Sequence, residues 1–86
     1  MQLENSASEK ITVEITNTTT GAVAFRDSLS NGSTKAVSLS GDYTYNVAAS
    51  AIDQSPANHN DTSANAHVRL AISNGQVKIY IGAPSK

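Results

Sequence analysis

Residues Lys10 to Thr16 read Lys-Ile-Thr-Val-Glu-Ile-Thr, and this stretch decides the fold. Ile11, Val13 and Ile15 share one face of an extended chain, while Thr12, Glu14 and Thr16 share the other. A period of two in β-forming residues predicts a half-buried strand. The rest of the chain repeats that signal, and no stretch shows a 3.6-residue period that would argue for a helix.

Beyond it, Asn17 to Gly21 supplies turn chemistry. A second strand is expected over Ala22 to Leu29, with Val23 and Phe25 inward and Arg26 outward. Asn31-Gly32 predicts a hairpin, because both residue types tolerate positive φ. Thr34 to Leu39 is a short strand with Val37 and Leu39 inward. After Ser40-Gly41-Asp42, Tyr43 to Ile52 alternates again, with Tyr43, Tyr45, Val47 and Ala49 on one face. Asp53 to Asn65 then breaks the pattern with Pro56, several Asn and little to bury. It reads as a long loop, which in a compact domain is functional or mobile. Ala66 to Ile72 turns Val68, Leu70 and Ile72 inward, and His67 and Arg69 outward. Asn74-Gly75 predicts a second hairpin. Gln76 to Ile81 closes the chain, with Val77, Ile79 and Ile81 inward and Lys78 and Tyr80 outward.

Residues 1–9 read as a polar N-terminal arm, 10–82 as one β-sandwich domain and 83–86 as a C-terminal tail. Six strands separated by turn signals predict an all-β fold, a small antiparallel β-sandwich of six to seven strands.

The stretch Ile11 to Ala49 carries a resemblance. Ile11-Thr-Val-Glu-Ile15, the Asn31-Gly32-Ser33 turn, Leu39, and Gly41-Asp-Tyr43-Thr-Tyr45-Asn-Val47 resemble immunoglobulin-like and transthyretin-like sandwich modules. Those are of the carboxypeptidase-regulatory and PEGA-type kind. In these families a Gly makes a turn and the following Tyr anchors a strand. The resemblance covers about half of the chain and implies an immunoglobulin-like fold. It also implies a structural, adhesive or substrate-presenting role without catalysis.

Composition narrows the function classes. The 86 residues carry six Lys and Arg against seven Asp and Glu, so the net charge is −1. The cations are scattered singly, and no basic stripe marks a nucleic-acid partner. No apolar run is long enough for a membrane-inserting helix. With no cysteine there is no disulfide staple. The hydrophobes are mostly small, so the core is thin and a homodimer becomes attractive. Richness in Ser, Thr and Asn suggests an extracellular or exported setting, although Met1-Gln-Leu-Glu starts no signal peptide.

Chemistry-bearing residues are few. His59 and His67, with Asp61 or Asp53 as a carboxylate, suggest a divalent metal, but their spacing matches no established metal signature. The chain has no nucleophile elbow and no phosphate-binding glycine loop. The expected function is therefore a non-catalytic binding or structural module without a cofactor. It would act through its edge strands and the 53–65 loop, on a partner protein or on another copy. One alternative is a small lectin-like protein, with Asn58, Asn60 and Asp61 hydrogen-bonding a glycan beside Tyr80. The other is an enzyme inhibitor that presents the loop. Asn17, Asn31 and Asn60 each begin an Asn-x-Ser/Thr acceptor sequence.

Overall fold

The computed structural model describes residues 1–82 and shows an all-β protein of two packed four-stranded sheets. The expected tail, 83–86, lies outside the described residues. Eight strands form: β1 (Gln2–Asn5), β2 (Ile11–Asn17), β3 (Val23–Leu29), β4 (Thr34–Ala36), β5 (Thr44–Ser50), β6 (Ala57–Ser63), β7 (His67–Ser73) and β8 (Gln76–Gly82). One sheet has the order β4-β1-β7-β8 and the other β3-β2-β5-β6. The pairing is antiparallel except between β1 and β7, which run parallel.

The alternation in Lys10 to Thr16 becomes β2, with Ile11, Val13 and Ile15 all fully buried. Tyr45, Val47 and Ala49 of β5, Val68 and Leu70 of β7, and Val77 of β8 meet them between the sheets. On the solvent face of the β2-containing sheet, cross-strand polar pairs replace apolar contacts. Thr12 and Ser28 hydroxyls lie 3.0 Å apart, and Arg26 sits 3.3 Å from Glu14. Pairs of this kind add modestly to sheet stability.

Residues 1–9 are not a polar arm. Gln2–Asn5 is a strand between β4 and β7, and Leu3 is fully buried. Met1, Leu3 and Ala7 are the apolar residues of that stretch, and the polar Asn5 between them interrupts the period. The third inward position is Asn5, which is fully buried yet paired on both ends of its amide. Its Nδ2 donates to the carbonyls of Glu9 and Leu29, both at 2.9 Å, and of Ser30 at 3.3 Å. Its Oδ1 accepts from the Ala7 amide at 2.9 Å. One polar side chain thus ties the β1–β2 connection to the end of β3, satisfying groups that would be costly to bury alone.

Asp53 to Asn65 is not one long loop either. Ala57–Ser63 is β6, paired with β5 through a register shift in which Tyr45 faces Thr62 and Val47 faces His59. Asp61, with φ of 54°, takes up the extra residue of this bulge. As an edge strand β6 buries little, so Ala57, His59 and Thr62 suffice on its inner side and no hydrophobic period results. The true connection is Ala51 to Pro56.

Three smaller expectations also change. A register shift between Ile15 and Thr16 pairs Val23 with Thr16, and Val23 is 54 % exposed. Tyr43 lies outside β5 and is 39 % exposed. Asn31-Gly32 does not close a hairpin, because β3 and β4 belong to different sheets. Only Gly32 has positive φ there, whereas Asn74 and Gly75 both do and close the β7–β8 hairpin.

Candidate functional site

A segment that adds to a sheet as a further strand needs an edge with unpaired backbone groups. Four strands lie at edges: β3, β4, β6 and β8. β4 has three residues and β6 carries the Asp61 bulge. β8 is seven residues long and pairs with β7 in seven consecutive registers without interruption.

The hairpin fixes which groups of β8 are open. Ser73 and Gln76 close a two-residue turn, so they exchange hydrogen bonds across the hairpin. Gln76, Lys78 and Tyr80 therefore turn their amides and carbonyls toward β7. Val77, Ile79 and Ile81 turn theirs outward. The chain itself shows this geometry, for the Val77 amide donates to the Ser55 carbonyl at 2.9 Å. The Ser55 amide in turn donates to the Gly75 carbonyl at 2.9 Å, forming one rung of a parallel pairing between Ser55 and Gln76. The segment then leaves for β6. Among the described residues, Ile79 and Ile81 have no backbone partner on that side.

Side chains flank the open backbone on both faces. On the core side Ile79 is partly buried and Ile81 is 37 % exposed. On the outer face Tyr80 is 46 % exposed, and the Arg69 guanidinium carbon lies 4.2 Å from its ring centroid. Arg69 and Tyr80 are direct register partners, so this cation–π contact holds the arginine head against a side chain of the edge strand, on the outer face of the sheet. Further in, His67 Nε2 lies 3.5 Å from Glu4 Oε1. Glu4, His67, Arg69, Tyr80, Ile81 and Gly82 line a shallow groove of about 230 Å³.

Asn58, Asn60 and Asp61 are not beside Tyr80. They lie on β6, in the other sheet, and the Asn58 Oδ1 accepts from Asn46 Nδ2 at 2.6 Å. His59 and His67 also part company. His59 faces the core side of β6, its Nδ1 3.0 Å from Thr62 Oγ1, and His67 pairs with Glu4 on the outer face of the opposite sheet. Among the described residues no group of three His, Asp or Glu side chains is placed to hold a metal ion. Of the three acceptor sequences, Asn17 is buried. Its Oδ1 accepts from the Thr19 and Thr20 amides at 2.9 and 3.1 Å, capping the β2–β3 turn.

Arg69 is the residue that sequence reasoning left as an ordinary outward cation. Its position opposite Tyr80 across an Asn-Gly hairpin is the signal that pairs the two. Comparison with protein-family models, with curated proteins and with solved structures finds no match.

Proposed function

We propose that this chain is a non-catalytic binding or assembly module that takes an extended segment of a partner protein along the β8 edge. The observation that carries the reading is the Ser55 rung. An extended piece of the chain's own backbone already begins to add to β8 and then departs. Beyond it lie Ile79 and Ile81, with open backbone groups and half-exposed side chains. Strand addition of this kind gains affinity from main-chain hydrogen bonds and selectivity from alternate side chains.

The resemblance to immunoglobulin-like and transthyretin-like modules is part of the proposal. The Tyr45 hydroxyl donates to the Ser40 carbonyl at 3.1 Å, five residues upstream, where the chain crosses from one sheet to the other. A tyrosine in that role supports a sandwich of this broad type. Four strands over four departs from the seven-strand immunoglobulin arrangement of four over three. Within the resemblance we therefore favour the transthyretin-like side.

The test is a titration of a fluorescent, uncharged extended peptide, Thr-Val-Gln-Val-Gln-Val-Thr, followed by anisotropy. Saturable binding is expected for the native chain and its loss for Ile81→Pro. Proline there removes an edge-facing amide and leaves the β7 ladder bonds in place. A folded Ile81→Pro chain that binds as well as the native one overturns the reading.

A further inference from the structure

The geometry points to an acidic side chain on the docking segment, received by Arg69 over the Tyr80 ring. This rests on the β8 edge as the docking line and names the chemistry of what docks there.

Among the described residues Glu14 forms an ion pair with Arg26, and Glu4, which stands opposite Arg69 on β1, turns its carboxylate to His67; no carboxylate lies within ion-pair distance of Arg69. The Tyr80 ring nevertheless holds its guanidinium in a defined place, 4.2 Å from the ring centroid. Tyr80 stands on β8, so the guanidinium lies against a side chain of the edge strand itself. A strand added to β8 lies about 4.8 Å further out. Its outward side chain level with Tyr80 therefore arrives beside the Arg69–Tyr80 pair, within reach of a long, flexible guanidinium. A carboxylate at that position accepts the charge-assisted hydrogen bonds an arginine fork donates. The alternate side chains of the same segment turn to the core side, where Ile79 and Ile81 await apolar neighbours. The recognised pattern is thus acidic and apolar residues in alternation.

Charge also decides against a second copy of this chain. Two-fold pairing of β8 centred on Ile79 sets the second copy's Lys78 opposite Tyr80, beneath Arg69. Pairing centred on Tyr80 brings two Arg69–Tyr80 pairs face to face. Either register gathers cations where a carboxylate is wanted, which is unfavourable for opposed strands.

The experiment titrates labelled Thr-Val-Glu-Val-Glu-Val-Thr, the Gln peptide above and its Lys counterpart at low ionic strength. A fourth peptide copies the chain's own residues 76–82. The Glu peptide should bind about fivefold more tightly than the Gln peptide, with the Lys peptide weakest. Salt at about 0.5 M should erase most of that difference. Arg69→Gln should abolish the preference for Glu, so that the Glu and Gln peptides bind this variant within a factor of two of each other. Equal binding of the Glu and Gln peptides by the native chain overturns the acidic preference and leaves the edge reading standing. Tightest binding of the 76–82 peptide overturns it in favour of self-association. Binding of none of the four overturns both.

Discussion

The two sides of the sandwich treat their open edges differently. On one side, β3 and β4 carry a charge where the pleat calls for a core residue. Asp27 stands opposite Val13, and Lys35 stands opposite Leu3. Both are exposed. An inward-directed charge on an edge strand penalises any strand that would cover it, and β4 is only three residues long. On the other side, β8 places Ile79 and Ile81 at the matching positions, opposite Leu70 and Val68. Its neighbour across the sandwich, β6, is broken by a bulge, while β8 pairs with β7 without a register shift. One side is closed to additional strands, and the other keeps a stretch of backbone open after Val77. The chain spends polar residues on preventing association at one edge and leaves apolar ones at the other. That contrast is what directs the functional reading to β8.

The guarded side depends on Asn5, and breaking it there should have the largest effect. Asn5→Leu removes one acceptor and one amide donor group that together serve four backbone partners. One buried carbonyl, two partly buried ones and a buried amide then lose their partner. A loss of roughly 3 to 5 kcal/mol is expected in urea denaturation. A loss below about 1 kcal/mol would show that water replaces the amide and that the corner does not hang on this residue.

Removing the guards should change association far more than stability. Asp27→Val with Lys35→Val places apolar residues at exposed edge positions, so unfolding midpoints should shift by less than about 1 kcal/mol. Light scattering over a concentration series should nevertheless reveal new association, since both edges then resemble β8. If the double variant stays as dispersed as the native chain, the two charges are not what distinguishes the sides.

The smallest effect concerns the Met1 amine, which donates to the Val37 carbonyl at 2.7 Å beside β4. Burial lowers its pKa from the ordinary value of 8.0. Protonating it costs more in the folded chain than in the unfolded one. The unfolded chain therefore binds more protons between the two pKa values, and stability rises with pH up to about 8. The penalty is complete below the folded pKa and absent above the unfolded one. Urea midpoints should climb slightly across that window, and acetylating the amine should flatten the climb. A fall in stability over the same window would reverse the assignment.

Much of the strand content was legible because alternation is local. Ile11, Val13 and Ile15 declare β2 by themselves, as Val68 and Leu70 declare β7 and the Asn74-Gly75 step declares the β7–β8 hairpin. β1 and β6 were hidden for the opposite reason. β1 has one large buried side chain, Leu3, and a buried amide where a hydrophobe was expected. β6 lies at an edge and needs only backbone pairing with β5, so Ala57, His59 and Thr62 carry no apolar signal. The candidate site divides the same way. The outward positions of Tyr80 and Arg69 follow from period two, while their stacking across the hairpin needs the register.

By itself the sequence determined that the chain is all-β, which faces of β2, β5, β7 and β8 are buried, and that β7 and β8 form a tight hairpin. These rest on side-chain period and on two consecutive residues with positive φ, both properties of neighbouring residues. Only the tertiary structure decided the rest: that β1 inserts parallel to β7, that the Asn31-Gly32 turn changes sheets, and that β8 is left at an edge. Those outcomes depend on which distant backbone groups find partners, and the amides and carbonyls of Ile79 and Ile81 look the same in sequence whether paired or open.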